Sequence, residues 1–568
     1  MSATATGKRW LQRQGLTAAC ELGGVPPAIA RLLGARGLVT PRETEAFLRG
    51  TLECDHDPLL LPNIEPALAR IAAAIREGEL IAVFGDFDVD GVTATAILVE
   101  GIAALGGNVI PYLPDRFGEG YGVNSAALSE LHRRGAALVI TADCGINADR
   151  EVDHANEIGL DVIVVDHHSI PERLPEAVAL VDPKFAGSAY PCAELSAGGI
   201  AFKLLGALAE RLGRPYAPEE HLDLVALSTV CDMAPLHGEN RTLVRQGLKA
   251  LQRTARPGLH ALAEVAGAEI GRATAWTLGF QLGPRLNAAG RVAHADLAYE
   301  LLTTRDEARA RSLATKLHAL NVERQRLTQQ AVEVSRTLIE REDPDAPLLM
   351  VGHAEIHEGI VGLVAGRLAE AYHRPAVVYQ HLGDRCRGSA RSVPAFNIVE
   401  ALYAAAPLMT RFGGHRQAGG FTAPSENMPA LRAALLEQAH SQLAGQDLTP
   451  VIEFDDELDL SEFGRRELQW FPFLEPFGLG NPEPQFVARG LEVLDRRAVG
   501  SDRSHLQLRL RSGGTVWRGI AFGLAEAAPR TGTRIDALFS VRPGRSGAPE
   551  LHVRDFAASE HRVATLLP

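Results

Sequence analysis

Residues 81–91 read Ile81-Ala82-Val83-Phe84-Gly85-Asp86-Phe87-Asp88-Val89-Asp90-Gly91. The apolar first half is typical of a buried parallel strand, and the second half carries an aspartate at every second position. On an extended segment this spacing directs all three carboxylates to the same side. Gly91 permits a tight turn, and residues 92–100 have the pattern of a helix. The carboxylates are therefore predicted at the carboxyl end of a strand, where open α/β sheets bind ligands.

Three like charges on one short loop repel one another unless a cation lies between them. Hard divalent cations such as Mg²⁺ and Mn²⁺ prefer oxygen ligands, so the loop is a candidate metal site. One alternative is a solvated acidic turn. A second is an EF-hand loop, which is disfavoured because the later ligand positions are apolar and the flanks are a strand and then a helix.

Length and composition limit the possible protein classes. With 568 residues the chain is too long for one core, and two to four domains are expected. The net charge of −13 argues against a uniformly basic nucleic-acid binder but allows local basic grooves. Six scattered cysteines form no CxxC pair, so neither a zinc ribbon nor a disulfide framework is indicated. We see no secretory signal and no apolar run of membrane-spanning length, and we expect a cytoplasmic protein.

Further segments place ligand-type residues at the ends of predicted elements. A strand at 137–142 precedes Asp143, a strand at 161–165 precedes Asp166, His167 and His168, and a helix at 222–229 leads to Asp232. Each signal alone is weak, because an aspartate after a strand is commonly only a helix N-cap. Their recurrence predicts a doubly wound parallel α/β sheet whose edge could hold two metal ions sharing a bridging aspartate.

Four segments resemble, in order and spacing, the four motifs of the DHH phosphoesterases. They are Gly-Asp-Phe-Asp-Val-Asp-Gly at 85–91, Ala-Asp-Cys-Gly at 142–145, Val-Asp-His-His at 165–168 and Thr-Val-Cys-Asp-Met-Ala-Pro-Leu at 229–236. Residues 283–291, Gly-Pro-Arg-Leu-Asn-Ala-Ala-Gly-Arg, resemble a signature of the RecJ branch of that superfamily. Members of that branch are single-strand-specific 5′→3′ DNA exonucleases, and the resemblance covers nearly the whole chain.

The resemblance implies two Mn²⁺ or Mg²⁺ ions and a role for each site residue. Asp143 would bridge the metals, Asp88 would bind one, and Asp90, His167 and Asp232 would bind the other. Asp86 and Asp166 would give close support, and His168, helped by His415 and Asn287, would contact the scissile phosphate. The implied substrate-binding residues are Arg116, Arg291, Ser389 and Arg391 around the 5′ phosphate, with Arg285 and Gly414. Related pyrophosphatases carry a histidine where this chain has Phe84, which leaves open whether Asp86 binds metal directly.

We divide the chain into five parts: an amino-terminal helical cap at 1–50, a DHH catalytic domain at 51–270, a signature loop and long connecting helix at 271–341, a DHH-associated α/β domain at 342–445 that binds substrate, and an OB-type nucleic-acid-binding β-barrel at 446–568. The apolar pattern of 293–341, free of Gly and Pro, favours one long helix. It could be a coiled-coil or dimerisation arm, and the resemblance implies a helix connecting two lobes.

Two regions of the second half carry candidate substrate contacts. Segments 387–392 and 411–415 have the composition of turns with exposed arginines, which could hold a phosphate. The short alternating strands of the barrel carry outward arginines, which suits single-stranded nucleic acid. Trp517 and Phe522 could stack on bases or belong to the core, and we expect Phe522 in the core.

The metal-ligand pattern predicts phosphoryl hydrolysis, and the resemblance implies a metal-dependent 5′→3′ exonuclease on single-stranded DNA that releases 5′-mononucleotides in DNA repair and recombination. The implied partners are a strand with a 5′ end, a single-strand-binding protein and a RecQ-type helicase, and we expect a monomer without membrane contact. One alternative is a DHH hydrolase for small substrates, such as an oligoribonuclease, cyclic-dinucleotide phosphodiesterase or pyrophosphatase, but the long helix and the barrel argue against it. The other is a non-catalytic scaffold resembling the eukaryotic replication homologue, which the filled acidic positions disfavour.

Overall fold

The computed structural model describes residues 4–13, 23–50, 56–120, 122–544 and 548–559. It divides into two compact units. The two-lobe unit contains residues 52–448 and 478–480, and the barrel unit contains residues 1–51, 449–477 and 481–568.

The described residues form eighteen helices and eighteen strands. The helices are α1 Pro27–Ala35, α2 Pro41–Arg49, α3 Ile64–Glu77, α4 Val89–Ala104, α5 Ser125–Arg133, α6 Asp149–Glu157, α7 Ala197–Leu212, α8 Leu222–Cys231, α9 Gly238–Leu251, α10 Pro257–Ala266, α11 Gly283–Val292, α12 Asp296–Thr303, α13 Glu307–Glu342, α14 Val361–Tyr372, α15 Ile398–Ala404, α16 Met428–Leu443, α17 Arg465–Leu468 and α18 Phe471–Leu474. The strands are β1 Arg9–Gln12, β2 Leu80–Gly85, β3 Asn108–Tyr112, β4 Ala136–Ala142, β5 Asp161–Val165, β6 Ala179–Val181, β7 Leu349–Gly352, β8 Ala376–Leu382, β9 Arg385–Arg391, β10 Arg411–His415, β11 Ala418–Pro424, β12 Val451–Phe454, β13 Asp456–Glu457, β14 Phe486–Val499, β15 His505–Ser512, β16 Thr515–Ala521, β17 Arg534–Pro543 and β18 Pro549–Ala558. Among these helices none combines the length and apolar character that a membrane span requires.

The first lobe is built on a five-stranded parallel sheet in the order β3-β2-β4-β5-β6. Alternate strand residues belong to different cores: Ile81 and Val83 pack with α3, α4, α7 and α8, whereas Ala82 and Phe84 pack with α5 and α6. Helices thus cover both faces, which accounts for the continuously apolar strands. The predicted doubly wound sheet is confirmed, and its carboxyl edge carries the predicted acidic residues.

The region between the lobes is helical, and two of its predicted features are wrong. The signature at 283–291 is helix α11, preceded by a π-helical turn at Thr277–Leu282, and not a loop. The helix predicted over 293–341 is interrupted after Thr303, because the Asp306 side chain accepts hydrogen bonds from the backbone N–H groups of Ala308 and Arg309 and starts α13 afresh. The 36-residue α13 contributes Leu313 to the first lobe's core and Val332 to the second's, as a connecting helix would.

The second lobe contains a mixed sheet in the order β10-β11-β9-β8-β7, in which only β7 and β8 are parallel. Of the segments predicted as turns, residues 387–391 lie in β9 and residues 411–415 form β10, so that prediction is wrong. The backbone of 387–391 pairs with β8 and β11 and that of 411–415 pairs with β11, and this pairing overrides the turn-like composition.

The barrel unit closes six strands in the order β13-β14-β15-β16-β18-β17, with β14 also paired to β17. The predicted OB-type barrel is confirmed. Ile29, Leu32 and Leu48 of α1 and α2 pack into its core, and β1 pairs with β12, so the amino-terminal segment is not wholly helical. Trp517 is buried and donates its Nε1–H to the Leu460 carbonyl. Phe522 is 59% exposed, so its expected core position is wrong: it directly follows β16 and lies against His505 and His552 at the surface.

Candidate active site

The carboxyl edge of the parallel sheet gathers the predicted metal ligands. Each strand end delivers one aspartate: Asp86 follows β2, Asp143 follows β4 and Asp166 follows β5, while Asp232 follows α8. Three sets of side chains each bring one ligand atom per residue within 4.8 Å of the others, namely Asp86, Asp88 and Asp143; Asp90, His167 and Asp232; and Asp143, His167 and His168. Seven of the eight residues predicted along the four motifs at this edge therefore meet in these sets, and the eighth, Asp166, lies against His167 and His168.

His167 lies at the centre of this cluster. Its Nε2 is 2.9 Å from Asp143 Oδ1 and 3.6 Å from Asp90 Oδ2, and its Nδ1 is 3.8 Å from Asp232 Oδ2. Burial lowers the pKa of His167, which keeps the ring neutral and able to bind a metal. Both ring nitrogens therefore face carboxylates that could share a cation with it.

The carboxylates of the cluster repel one another in a buried setting. Burial, and then the charges of Asp90 and Asp88, raise the pKa of Asp143 well above its usual range. Burial, and then Asp88, raise the pKa of Asp86 to about 8, and burial, and then Asp90, raise that of Asp232 to about 8. Asp86 Oδ1 is buried without a hydrogen-bond partner among the described residues. An oxygen-rich donor set of this kind fits divalent cations such as Mg²⁺ or Mn²⁺.

The turn from β2 into α4 is shaped to present Asp88 and Asp90. Asp88 Oδ1 accepts hydrogen bonds from the N–H groups of Asp90 and Gly91, which makes Asp88 the N-cap of α4. A Cβ atom on Gly91 would lie 2.6 Å from Asp86 N, so only glycine lets the turn close. Asp90 accepts from the N–H groups of Ala197 and Gly198 at the start of α7, which fixes its carboxylate toward His167.

Asp166 and Asn287 position other groups. Asp166 Oδ1 accepts from the N–H groups of His167 and His168 and lies 2.7 Å from His168 Nδ1, and its Oδ2 accepts from Ile146 N–H. Burial opposes the charged form of His168, but the hydrogen bond and charge of Asp166 outweigh it and raise the pKa of His168 to about 9. Asn287 Oδ1 accepts a hydrogen bond from Val89 N–H, which joins α11 to the turn that carries Asp88 and Asp90.

The predicted phosphate-binding residues converge from both lobes. Arg116 lies over the Phe87 ring, 4.7 Å from its centroid, and Arg391 Nη1 donates to Ser389 Oγ at 3.0 Å. Burial, and then the charge of Arg116, lower the pKa of Arg291 to about 10, with the charge of Arg391 adding to the effect. Among the described residues, none of these three arginines forms an ion pair with a carboxylate within 4.0 Å. The group is therefore ready to bind an anion.

The remaining predicted residues lie at different positions. His415 ends β10 with most of its surface accessible, and partial burial of its ring, and then the charges of His168 and Lys184, lower its pKa. Gly414 precedes it, opposite Gly419 of β11. Arg285 is directed elsewhere, since it donates to the Gln281 carbonyl and to His318 of α13.

Sequence reasoning missed several residues around the site. Lys184 lies in a turn after β6 in which Asp182 Oδ1 accepts a hydrogen bond from the Lys184 backbone N–H. The Asp182-Pro183 pair is the sequence feature that indicates this turn. Ser228 donates to Asp90, and nothing in the local sequence marks it. Arg387, which belongs to the predicted phosphate-binding segment 387–392, forms an ion pair with Glu358 at 3.0 Å.

The fold and the cluster define the class of the protein. Residues 80–229 match the DHH family, N-terminal domain; residues 345–441 match the DHHA1 domain; and residues 454–544 match the RecJ OB domain. This combination is that of a DHH phosphoesterase with an added OB domain.

Full-length comparisons identify the family within this class. The chain is 36% identical over 550 residues to the single-stranded-DNA-specific exonuclease RecJ of Bacillus subtilis, covering 95% of this chain and 69% of that protein. It is 35% identical over 532 residues to the Escherichia coli protein of the same name, covering 90% and 91%. The structure is similar to RecJ of Thermus thermophilus in complex with Mn²⁺, with a TM-score of 0.82, 33% identity and coverage of 97% and 80%. The chain belongs to the RecJ family.

Proposed function

We propose that this chain is a metal-dependent 5′→3′ exonuclease that acts on single-stranded DNA, releases 5′-mononucleotides and serves DNA repair and recombination. The observation that carries the proposal is one arrangement within the two-lobe unit. A cluster of carboxylates and imidazoles fit for divalent cations faces a group of arginines that have no acidic partner among the described residues. Membership of the RecJ family supports the choice of substrate.

The proposed ligand sets follow the observed groups. Asp86, Asp88 and Asp143 would hold one divalent cation, and Asp90, His167 and Asp232, with Asp143 shared, would hold the other. Phe84 is fully buried, stacks on Tyr112 and offers no ligand atom. Asp86, whose Oδ1 is buried without a hydrogen-bond partner among the described residues, would supply a ligand where a histidine is missing. When bound, such cations neutralise phosphoryl charge and lower the pKa of water.

The protein's own groups orient the strand. The proposed pocket of Arg116, Arg291, Ser389 and Arg391 would bind the terminal 5′ phosphate and so set the scissile bond one nucleotide away, over the carboxylates. His168, kept cationic by Asp166, would contact the scissile phosphate, and His415 would approach it from the second lobe. Anchoring of the terminal phosphate gives the 5′→3′ polarity.

The barrel unit would bind the rest of the strand. Arg509 of β15 and Arg518 of β16 are exposed, paired across the ladder and free of ion pairs among the described residues, and Phe522 is exposed directly after β16. Bases stack on exposed aromatic rings, and arginines bind the backbone. The match of this barrel to the RecJ OB domain argues against a hydrolase of small substrates, and the filled acidic positions argue against a non-catalytic scaffold.

Several finer points belong to the same proposal. They are a monomeric state, a cytoplasmic location, association with a single-strand-binding protein and a RecQ-type helicase, and the division of the chain after residues 50, 270, 341 and 445. Their support is family membership alone.

The test uses one oligonucleotide labelled at its 3′ end, with and without a 5′ phosphate, incubated with Mn²⁺ or Mg²⁺. We expect stepwise shortening from the 5′ end that is faster with the phosphate, absent after chelation and absent in Asp143→Asn. The control Asp345→Asn, at an exposed carboxylate of the second lobe, should keep full activity. Hydrolysis of dinucleotides without shortening of the oligonucleotide would contradict the proposal.

A further inference from the structure

A short turn of the second lobe contacts each of the three elements that carry the proposed phosphate pocket. The turn is His357-Glu358-Gly359, between β7 and α14, and we call it the linking turn. Its first and last residues are joined, since His357 Nδ1 accepts a hydrogen bond from Gly359 N–H at 3.1 Å. The pocket residues lie on the loop after β3, on helix α11 and on strand β9, and they are Arg116, Arg291, Ser389 and Arg391.

The first contact reaches the loop that carries Arg116. The His357 ring meets the Phe117 ring edge-on, with centroids 5.3 Å apart and planes at 81°, a geometry that aromatic pairs favour. Phe117 directly follows Arg116, whose guanidinium lies over the Phe87 ring. The Phe117 backbone is itself held in place, because its N–H donates to Asp115 Oδ1 at 3.2 Å. The ring contact therefore joins Arg116 of the first lobe to the second lobe.

The second contact is made by the backbone of α11. A Cβ atom on Gly359 would lie 1.9 Å from the carbonyl oxygen of Arg291, so only glycine lets the linking turn lie this close to the helix. Arg291 is in the last turn of α11. The place of its carbonyl group therefore also fixes the point at which its side chain leaves the helix.

The third contact is an ion pair to β9. Glu358 Oε2 lies 3.0 Å from Arg387 Nη1, and the two side chains are 17% and 32% exposed. Alternate residues of a strand face the same side, so Arg387 shares one face of β9 with Ser389 and Arg391. The ion pair therefore holds the face of β9 that carries the second lobe's part of the pocket against the linking turn.

We propose that His357, Glu358 and Phe117 are positioning residues that hold the phosphate-binding side chains of the two lobes at the spacing of one terminal 5′ phosphate. They act through Arg116, Arg291 and the face of β9, and they do not touch the phosphate themselves. This inference rests on the proposed function, because it takes the pocket to bind the terminal 5′ phosphate. The positioning residues set the preference for a phosphorylated end and add nothing to the affinity for the rest of the strand.

The experiment measures binding of a short oligodeoxythymidylate, labelled with a fluorophore at its 3′ end, to the whole chain carrying Asp143→Asn in chelator. The strand has either a 5′ hydroxyl or a 5′ monophosphate. The ratio of the two dissociation constants reports on the pocket, because the rest of the strand is the same in both. Phe117→Ala, His357→Ala and Glu358→Gln should each lower this preference for the phosphate at least threefold. Phe117→Tyr, which keeps the ring, should retain it.

A double-mutant cycle tests the ring contact between the lobes. Phe117→Ala together with His357→Ala should lower the preference no further than the more severe of the two single variants, because both remove the same contact. Reductions that multiply in the double variant would show that the two rings act independently, and would overturn the proposed contact.

The matched controls lie in the same segment of the second lobe. His353 Nδ1 accepts a hydrogen bond from Glu355 N–H, just as His357 does from Gly359 N–H. Glu355 is exposed and lies three residues before Glu358. His353→Ala and Glu355→Gln should both keep the preference of the Asp143→Asn background.

Failure of the positioning role and failure of the pocket give different results. Equal binding of the hydroxyl and monophosphate ends by Asp143→Asn itself would overturn the pocket and, with it, the proposed polarity. A phosphate preference that survives in all three variants would overturn the positioning role and leave the pocket in place. A loss of affinity that is equal for both ends would do the same, since it would show a purely structural role.

Discussion

At the scale of single residues, the metal-ligand cluster is a place where the folded chain holds like charges close together. Asp143 has φ of 67°, a left-handed conformation unusual for a non-glycine residue, and its buried carboxylate meets those of Asp86, Asp88 and Asp90. Bound cations, or protons taken up by the carboxylates, would offset this repulsion. Without them the cluster should weaken the fold.

This repulsion gives a prediction for metal removal. In chelator, Asp143→Asn should have a higher melting temperature than the unmodified protein, because folding no longer buries a carboxyl that must either take up a proton or stay charged beside like charges. Added Mn²⁺ should raise the melting temperature of the unmodified protein clearly more than that of the variant. Differential scanning calorimetry measures both, with Asp345→Asn as the control. A variant that is less stable in chelator and equally stabilised by Mn²⁺ would contradict the assignment.

Gly290 gives a second prediction at this scale. A Cβ atom there would lie 2.4 Å from the carbonyl oxygen of Phe87, in the loop that carries Asp86 and Asp88. Gly290→Ala should cost about 1–3 kcal/mol in the free energy of unfolding by overpacking, and should reduce activity severalfold by displacing the ligand loop. Urea unfolding and the nuclease assay measure the two effects. Gly206→Ala, in α7 with open space around it, should be neutral or slightly stabilising.

At the scale of helices and strands, most of the fold could be predicted. The apolar runs of β2, β4 and β5 carry a strong local signal, since both faces of the sheet are covered. The sequence did not predict the interruption before α13, because residues 293–341 contain no Gly or Pro. The new helix begins at Asp306, whose side chain caps the start of α13. The strands β9 and β10 were not predicted, because their glycines are typical of turns. Their strand conformation depends on pairing, of β9 with β8 and β11 and of β10 with β11.

The candidate site was predictable where its residues lie within motifs. Asp86, Asp88 and Asp90 are adjacent in sequence, and their chemistry is evident from spacing alone. Lys184 was not found in this way, because the Asp182-Pro183 pair indicates a turn after β6 but not that the turn lies beside His167 and Asp232.

A buried ion pair joins two helices of the first lobe. Lys203 of α7 and Glu239 of α9 are 4% and 1% exposed, with Nζ 2.7 Å from Oε1, and Glu239 also accepts from the Tyr190 hydroxyl. Lys203→Met should cost about 3–5 kcal/mol, because it leaves a buried charge without its partner. Adding Glu239→Leu should recover much of that loss. Chemical denaturation measures both, and Lys249→Met, exposed on α9, should change little.

At the scale of the whole molecule, the barrel unit is expected to add affinity for the strand. Phe522→Ala should weaken binding of a single-stranded oligonucleotide by about 1–3 kcal/mol, the usual worth of one stacked base. Fluorescence anisotropy in chelator measures this affinity. Val516→Ala, at an exposed aliphatic residue of β16, is the control and should have little effect. The rate of dinucleotide cleavage by Phe522→Ala should not change. If Phe522→Ala and the unmodified protein bind the oligonucleotide equally well, the Phe522 ring does not contact the strand.

The pairing of β1 with β12 has a consequence for protein synthesis. Arg13, next to β1, bonds Asp455, next to β12, across 442 positions of the chain. A ribosome adds on the order of 5–20 residues per second, so the early segment waits roughly 20–90 s for its partner strand to emerge. During that interval the apolar side chains of α1 have no core to enter. Newly made chains should therefore depend on chaperones for this segment until translation is complete, and the two-lobe unit can fold before the barrel exists.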